Sequence, residues 1–410
     1  MPATITASPL LIAPSPTAHF GAGAIGKLPD AVRAAGGDAA VVITDGVLAA
    51  TGVGAAVTGV LAGAGIAVST FTGVRPNPTT RDVADGAEVV GHAAAAARPV
   101  LVALGGGSPI DAAKGIALAA VNPQRGRLLD YRGEFTRPAL PIVAVPTTAG
   151  TGAETNAFGV ITDETTHRKF YVGHPTSLPA AVILDPELTV GLPPAATAAT
   201  GMDALTHALE SYLSVRANPW SAGLALQVIR MVAEYLPRAC ADGADREARA
   251  QMLLAAHIAG IAMATTGLGA CHAIGHSLGG RFDIPHGIAL TMVLPQVLSF
   301  SRPACEARLA DVAFALGAGD CSATPGRNAG AAIDAVAGLA CAVGMTHQIA
   351  DFGITAGDFA QIAADALDDE VLVNAPRQPS AADIADVLAA SAAAGTGAAG
   401  AAGAGAAGGG

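Results

Sequence analysis

Short apolar segments alternate with helical patterns through the first half of the chain. Four segments are apolar along their whole length and bounded by glycine, proline or charged residues, as are strands buried on both faces of a sheet. They are AAVVITD (39–45), IAVSTF (66–71), PVLVALGGG (99–107) and PIVAVPTT (141–148). Helical patterns follow the first three, over 46–65, from Arg81 to Ala97 and over 108–120. These repeated strand–helix units predict a parallel sheet covered by helices on both faces.

The pattern changes near residue 190. From about Pro193 the chain consists of long Ala/Leu-rich helical runs such as AATGMDALTHALESYL, without convincing strands. The sequence therefore predicts an α/β domain over 1–190 and an all-helical domain over 191–390. The last segment, 391–410, is rich in alanine and glycine and carries no charge. Because it has nothing to bury, we expect it to be disordered.

Composition and charge exclude several classes of partner. The net charge is −11 and no basic run occurs, so we expect no nucleic-acid partner. The N-terminus has no basic residue before Lys27 and carries prolines, which argues against a signal peptide. The longest apolar stretch is interrupted by Asp111 and Lys114, so we expect no membrane span. The 5 cysteines form no CxxC pair, and a cytoplasmic location is the simplest interpretation.

The first glycine-rich segment, GAGAIG (21–26), matches the GxGxxG pattern of dinucleotide-binding turns. Asp45 follows at the spacing expected of an acidic residue that binds the ribose. The pattern requires a buried strand before it, however, and the preceding LLIAPSPTAHF contains two prolines. We therefore interpret GAGAIG as a glycine-rich turn into a helix rather than a phosphate site.

A better candidate for a phosphate site is LVALGGGSPIDAAK. An apolar strand runs into three glycines, Gly105 to Gly107, and a helix is predicted to follow. Ser108 is typical of the N-cap of that helix, Pro109 of its first position and Asp111 of its third. Backbone amides at such a helix start bind pyrophosphate. A plain capped helix explains this segment alone equally well.

A second turn of the same kind is PTTAGTGAE (146–154), in which Thr147 and Thr148 follow a strand. Two such turns at strand ends lie where open α/β sheets bind ligands. Asp45 also ends a strand, where a carboxylate accepts ribose hydroxyls and repels a 2′-phosphate. This position predicts NAD rather than NADP, although a turn or helix cap is the alternative role for Asp45.

Histidines are concentrated in CHAIGHSLGGRFDIPHG (271–287), in a chain that has only 10 of them. His272 and His276 are four residues apart and share a helix face, whereas His286 follows a Gly-Gly turn and Pro285. An earlier helix carries Asp203 and His207, also four apart. Either pair alone is more often an ordinary polar pair on a helix. Together, Asp203, His207, His272 and His286 indicate a site for Fe²⁺ or Zn²⁺ with positions open to substrate.

In order and spacing, five segments resemble those of the iron-containing (group III) alcohol dehydrogenases. They are GGGSPIDAAK, PTTAGTGAE, ITDETTHRKF, ATGMDALTHALESY and GLGACHAIGHSLGGRFDIPHG, and the resemblance covers about residues 10 to 390. It implies a dehydroquinate synthase-like fold, with an N-terminal Rossmann-like α/β domain that binds the dinucleotide and an all-α C-terminal domain, catalysis lying between them. The implied reaction is hydride transfer between NAD and a small primary alcohol or diol, or the corresponding aldehyde.

The resemblance also implies a role for each matching residue. The metal ligands are Asp203, His207, His272 and His286, with Fe²⁺ the expected metal and Zn²⁺ an alternative. The cofactor contacts are Asp45, Asn77, Gly105, Gly106, Gly107, Ser108, Asp111, Thr147, Thr148 and Lys169. His276 corresponds to a histidine beside the metal that is usually not a ligand. We expect His276 to take the proton of the alcohol and pass it outward, although it could instead only orient a ligand.

Other functions fit part of the pattern. His272 and His276 have the spacing of zinc hydrolase ligands, but the glutamate that such enzymes use as a base is missing between them. A maleylacetate reductase, a glycerol dehydrogenase or a non-catalytic protein that binds metal and dinucleotide remain alternatives. We expect a small-molecule substrate, no nucleic-acid or membrane partner, and a homo-oligomer.

Overall fold

The computed structural model describes residues 12–95, 97–122, 135–165 and 169–404. The chain divides into two compact units. The sheet unit comprises 13–192 together with 243–261, and the helical unit comprises 193–242 together with 262 onward. The division at residue 192 lies close to the expected boundary at 190. The sequence pattern did not predict that 243–261 belongs to the sheet unit. Residues 1–11, for which we expected no signal peptide, lie outside the described ranges.

Six strands of the sheet unit form the predicted parallel sheet, in the order β1-β8-β5-β4-β2-β3. These strands are β1 (Thr17–Phe20), β2 (Ala39–Ile43), β3 (Ala67–Phe71), β4 (Pro99–Gly105), β5 (Ile142–Pro146) and β8 (Ala181–Leu184). A separate antiparallel hairpin consists of β6 (Phe158–Thr162) and β7 (Lys169–Gly173). The four apolar segments are thus β2 to β5, and β1 and β8 were not predicted because they are short.

Both faces of the central strands are buried, as predicted from their continuous apolar pattern. Val41 and Leu101 contribute to one hydrophobic core, whereas the alternate residues Val42 and Val102 contribute to the core on the opposite face. The helices that cover the sheet are α1 (Leu28–Ala34), α2 (Gly46–Ala49), α3 (Gly52–Gly63), α4 (Thr80–Ala94) and α5 (Gly107–Ala119). The helix predicted over 46–65 is divided, because Thr51 caps the start of α3 by accepting a hydrogen bond from the Val53 amide.

The GAGAIG segment forms a turn that leads into a short 3-10 helix and then α1. A strand does precede it, because β1 begins after both prolines. This strand pairs only with β8, at the edge of the sheet, and is mostly exposed. The dinucleotide pattern requires a buried strand at this point, and β1 is not buried in this described segment.

The helical unit contains no strand in the part of the chain that the structure describes. Its helices are α6 (Pro194–Leu213), α7 (Pro219–Ala241), the end of α8 (Arg246–Thr266), α9 (Ala270–Phe282), α10 (His286–Ala315), α11 (Pro325–Ala342), α12 (Phe359–Leu367) and α13 (Ala381–Ala404). Helix α13 continues to Ala404, through most of the segment for which we expected disorder. Alanine has the highest helix propensity of all residues, so an alanine-rich segment favours continuation of a helix. Residues 405–410 lie outside the described ranges.

One described helix, α10, is long and apolar enough to cross a membrane, and α8 with α9 passes the same test if counted as one span. Half of the apolar window of α10 is buried by the rest of the protein. Core helices of soluble proteins have the same length and composition, so this finding is weak evidence for a membrane span.

Candidate active site

The four predicted metal ligands come together in the helical unit. Asp203 and His207 lie one turn apart on α6, His272 is in the first turn of α9, and His286 is the first residue of α10. The Nε2 atoms of His207, His272 and His286 lie 3.4, 3.7 and 3.6 Å from Oδ1 of Asp203. Donor atoms of Asp203, His207 and His272 all lie within 4.8 Å of one another. Three imidazoles thus converge on one carboxylate oxygen.

The donor set fits a divalent cation. Among the described residues, the buried Asp203 Oδ1 and His272 Nε2 have no hydrogen-bond partner, which is costly unless something else satisfies them. Burial alone raises the pKa of Asp203, but the imidazoles of His207, His286 and His272 hold it well below its usual range. The electrostatics of the cluster therefore favour positive charge beside Asp203. Imidazole nitrogens with a carboxylate oxygen are ligands for Fe²⁺ or Zn²⁺.

Glu210, which sequence reasoning missed, orients His272. Its Oε2 accepts hydrogen bonds from His272 Nδ1 at 2.6 Å and from the Gly269 amide at 2.8 Å, and its Oε1 accepts one from the Cys271 amide at 2.6 Å. Burial lowers the pKa of His272, but Glu210 and Asp203 outweigh it and raise the pKa to about 9. Glu210 thereby directs Nε2 of His272 toward Asp203. It follows Asp203 and His207 on one face of α6, and this i, i+4, i+7 spacing was the available signal.

We expect Glu210→Gln to weaken metal binding about 10- to 100-fold, because residues that orient a metal-ligating histidine contribute at that level. The two carboxylate oxygens of Glu210 accept from His272 Nδ1 and from the Gly269 and Cys271 amides. Glutamine has only one oxygen, and its NH₂ group cannot accept a hydrogen bond. The dissociation constant of the metal, measured by competition with a chelator, checks this. The exposed Glu234→Gln on α7 is the matched control. Equal metal affinity in the two variants would contradict the role.

His276 lies beside the ligands but faces a carboxylate of its own. Its ring stacks on that of His286 at 5.4 Å between centroids and meets the ring of His272 edge-on at 5.8 Å. Its Nδ1 is 2.6 Å from Oδ2 of Asp369, whose Oδ1 accepts from the Val371 amide. Burial raises the pKa of Asp369, but the hydrogen bond and charge of His276, together with the Val371 amide and the charge of His272, outweigh it and lower the pKa. Asp369 is 93 residues away along the chain, so no spacing revealed it.

The close approach of α10 to α6 places His286. Gly287 follows His286, and a Cβ atom at this glycine would lie 2.1 Å from the carbonyl oxygen of Ala199. Only glycine therefore allows the two helices to lie this close. The preceding turn contains Asp283 in the left-handed region, with φ of 52°. In the Pro-His-Gly sequence, the histidine is thus a predicted ligand at the start of α10, and the glycine allows that helix start to contact α6.

In the sheet unit, the two glycine-rich turns meet at the carboxyl ends of β4 and β5. Gly105 pairs with Pro146 in the sheet, and the Thr147 amide donates to the Gly105 carbonyl. A Cβ atom at Gly106 would lie 3.1 Å from Thr148 Oγ1, and one at Gly107 2.9 Å from the Thr151 methyl. The glycines thus keep open a cradle that side chains would fill, which suits a pyrophosphate.

Helix α5 begins two residues earlier than expected. Its N-cap is Gly106, which offers no side-chain cap, so Ser108 lies in the first turn and is not the cap. The assignment of Ser108 as N-cap was therefore wrong, because Gly106 takes the extended N-cap conformation and Gly107 is already within the helix. Uncapped amides at Gly107 and Ser108 strengthen the case for an anion site.

The four remaining predicted cofactor residues, Asp45, Asn77, Asp111 and Lys169, all lie in the sheet unit. Asp45 follows β2, at the point where the strand order reverses between β2 and β4, which is where open α/β sheets bind ligands. Its Oδ1 caps α2 by accepting from the Leu48 amide at 2.8 Å. Lys169 Nζ donates to Asn77 Oδ1 at 3.0 Å, so these two predicted contacts meet. Asp111 accepts from the Val160 amide, and burial raises its pKa.

The glycine-rich turns at the ends of β4 and β5 suit a pyrophosphate, and the imidazoles around Asp203 suit a divalent cation. These two features together are typical of metal-dependent oxidoreductases that use a dinucleotide. Residues 15–186 match the family model for iron-containing alcohol dehydrogenase, and 197–392 match the C-terminal model of the same family. The chain belongs to the iron-containing alcohol dehydrogenase family.

The chain is similar to known proteins over nearly its whole length. The 1,3-propanediol dehydrogenase of Citrobacter freundii is 39% identical over 90% of this chain and 95% of its own length. The NAD-dependent methanol dehydrogenase of Bacillus methanolicus is 36% identical over 91% of this chain and 97% of its own. A crystal structure of 1,3-propanediol oxidoreductase has a TM-score of 0.88 at 38% identity, covering 92% of this chain and 98% of that one.

Proposed function

We propose that this protein transfers hydride between NAD and a small primary alcohol or diol, or reduces the corresponding aldehyde, with one Fe²⁺ held by Asp203, His207, His272 and His286. The observation that carries this proposal is the convergence of three imidazole Nε2 atoms on the buried Oδ1 of Asp203. The names of the methanol and propanediol dehydrogenases that it resembles support both the substrate class and NAD. Zn²⁺ suits the same donors.

A bound divalent cation supplies Lewis-acid polarisation of an alcohol or carbonyl oxygen, and NAD accepts or donates the hydride. The chain provides orientation and a proton path. Glu210 fixes the ring of His272, while Asp369 fixes that of His276 by accepting from Nδ1. In that tautomer Nε2 of His276 is an acceptor, so it can take the proton of the alcohol and pass it outward. The residues for the dinucleotide are Asp45, Asn77, Gly105, Gly106, Gly107, Ser108, Asp111, Thr147, Thr148 and Lys169.

The test is turnover of the metal-reconstituted protein with NAD⁺ on a panel of primary alcohols and diols, and with NADH on the matching aldehydes. We expect activity with Fe²⁺ that is lost after chelation. Turnover of maleylacetate or glycerol in preference to the panel would assign another member of the superfamily. Binding of metal and NADH with no turnover on any of these substrates would contradict the enzymatic function.

We expect Asp45→Ser to raise kcat/KM for NADP⁺ about tenfold or more, since like charges brought together at a binding site cost at least the 1.4 kcal/mol that a tenfold change represents. Serine keeps a side-chain acceptor for the Leu48 amide, so the cap of α2 survives while the charge is removed. Steady-state kinetics with both cofactors measure the change. Equal use of NAD⁺ and NADP⁺ by the unmodified protein would refute the assignment.

We also propose that the protein is cytoplasmic and a homo-oligomer. Cys240, Cys271, Cys305, Cys321 and Cys341 are all free thiols in the structure, which suits a reducing compartment.

A further inference from the structure

Lys114, in the middle of α5, is buried completely, which is rare for a lysine. Its Nζ donates hydrogen bonds to the carbonyl oxygen of Ala153 at 2.7 Å, to Oδ1 of Asn156 at 2.9 Å and to the carbonyl oxygen of Phe158. An ammonium group has three protons, so every one of them has an acceptor. Lys114 ends the GGGSPIDAAK segment, but no role for its side chain could be predicted from the sequence.

The charge of Lys114 is balanced by two carboxylates. Oδ1 of Asp111 lies 3.7 Å from Nζ, and Glu154 adds a further attraction. Burial lowers the pKa of Lys114 to about 8 in spite of them. Glu154 in turn lies 2.9 Å from Nδ1 of the buried His257. Well-packed apolar residues often stabilise a core as much as buried charges do, so these charges indicate a role beyond stability.

The contacts of Lys114 connect three segments that carry predicted cofactor residues. Its own helix begins at the glycine turn that ends in Ser108. The chain from Thr148 leads directly to the acceptors at Ala153 and Asn156. The hairpin strand β6 begins at the third acceptor, Phe158, and its partner β7 begins at Lys169.

Asp111 reinforces the same connection from the first turns of α5. Its Oδ2 accepts from the Val160 amide of β6 at 3.0 Å. A Cβ atom at Gly159 would lie 2.8 Å from the Asp111 backbone, so β6 lies directly against α5. Lys114 and Asp111 together fix the distances among the glycine turn, the threonine turn and the hairpin.

We propose that Lys114 is a positioning residue for the dinucleotide: it holds these three segments at the spacing that NAD requires, without contacting the cofactor. This inference rests on the proposed function, because it assumes that NAD binds at these turns. Removing the ammonium leaves two buried carbonyl groups and the Asn156 side chain without their donor, so the segments shift to find other partners.

The test compares Lys114→Met with the unmodified, metal-loaded protein. We expect the dissociation constant of NADH, measured by fluorescence titration, to rise about tenfold or more. A tenfold rise corresponds to a loss of about 1.4 kcal/mol in binding free energy. We expect KM for NAD⁺ to rise more than kcat falls, and metal content to stay unchanged. Asn122→Ala is the matched control. Asn122 is also buried, and just beyond the end of α5 it donates to Leu118 and Arg137 carbonyls, far along the chain from the turns.

The control is expected to lower the melting temperature without changing NADH affinity. If Lys114→Met does not fold, Asn156→Ala removes one acceptor alone, and we expect a smaller rise in the same dissociation constant. An unchanged NADH affinity in the folded variants, or an equal loss in Asn122→Ala, overturns the positioning role. Failure of the unmodified protein to bind NADH would instead overturn the proposed function.

Discussion

Replacing His286 with alanine is expected to empty the metal site and to lower kcat about 10³-fold or more, since the Lewis-acid contribution of a metal amounts to several kcal/mol. His286 is the most informative ligand to remove, because its side chain is 35% exposed whereas those of Asp203, His207 and His272 are buried. Its loss therefore perturbs the fold least. Metal content by elemental analysis, together with kcat at saturating substrate, measures both effects.

His347→Ala is the control for His286→Ala, because His347 is an exposed histidine elsewhere in the helical unit. It should keep its metal and its turnover. The four-ligand site would be wrong if His286→Ala retained full metal occupancy. It would also be wrong if His207→Ala and His272→Ala retained metal while folding normally.

His276→Ala is expected to keep its metal and its affinity for NADH, yet to lose about 10²-fold in kcat, within the range that a positioned acid or base contributes. The four ligands complete the donor set without His276, and Asp369 holds its Nδ1 at 2.6 Å. Asp369→Asn should lower kcat in the same direction but less, because the imidazole remains while its orientation is lost. Metal content, NADH affinity and kcat of both variants are the measurements.

Asp365→Asn is the matched control for Asp369→Asn. Asp365 also bonds a side chain of α9, that of Arg281, but this pair lies partly exposed on the surface. Metal loss in His276→Ala comparable to that in His286→Ala would make His276 a ligand. Full kcat in His276→Ala would remove it from the proton path.

The sequence predicted the fold where apolar runs were long enough to distinguish strands from helices. Strands β2, β4 and β5 are buried on both faces, so every residue in them is apolar or small and the pattern directly predicts a strand at the centre of a sheet. Strand β1 is short, mostly exposed and at an edge, and such a strand leaves little pattern to detect. The assignment of 243–261 to the sheet unit depends on tertiary packing, which the periodicity of one helix does not encode.

The candidate site could be predicted where partners are close in sequence. Asp203 with His207, and His272 with His276, are pairs one helical turn apart, and helix geometry alone places each pair on one face. The supporting contacts join residues that are far apart in sequence, and the only signal for Glu210 was its place on the same face of α6 as Asp203 and His207. His272 and Glu210 are 62 residues apart, His276 and Asp369 are 93, and Lys114 reaches acceptors 39 to 44 residues away. Only the folded chain brings these groups together.

The contact between Gly287 and the Ala199 carbonyl also bears on how this protein tolerates mutation. Any side chain at residue 287 pushes the start of α10 away from α6, and the imidazole of the preceding residue moves with it. A glycine with no chemical function is thereby as necessary to the site as a predicted ligand. In a saturation mutagenesis scan scored by enzyme activity, residue 287 would behave like a catalytic residue, whereas a scan scored by protein abundance would reveal it as a packing position.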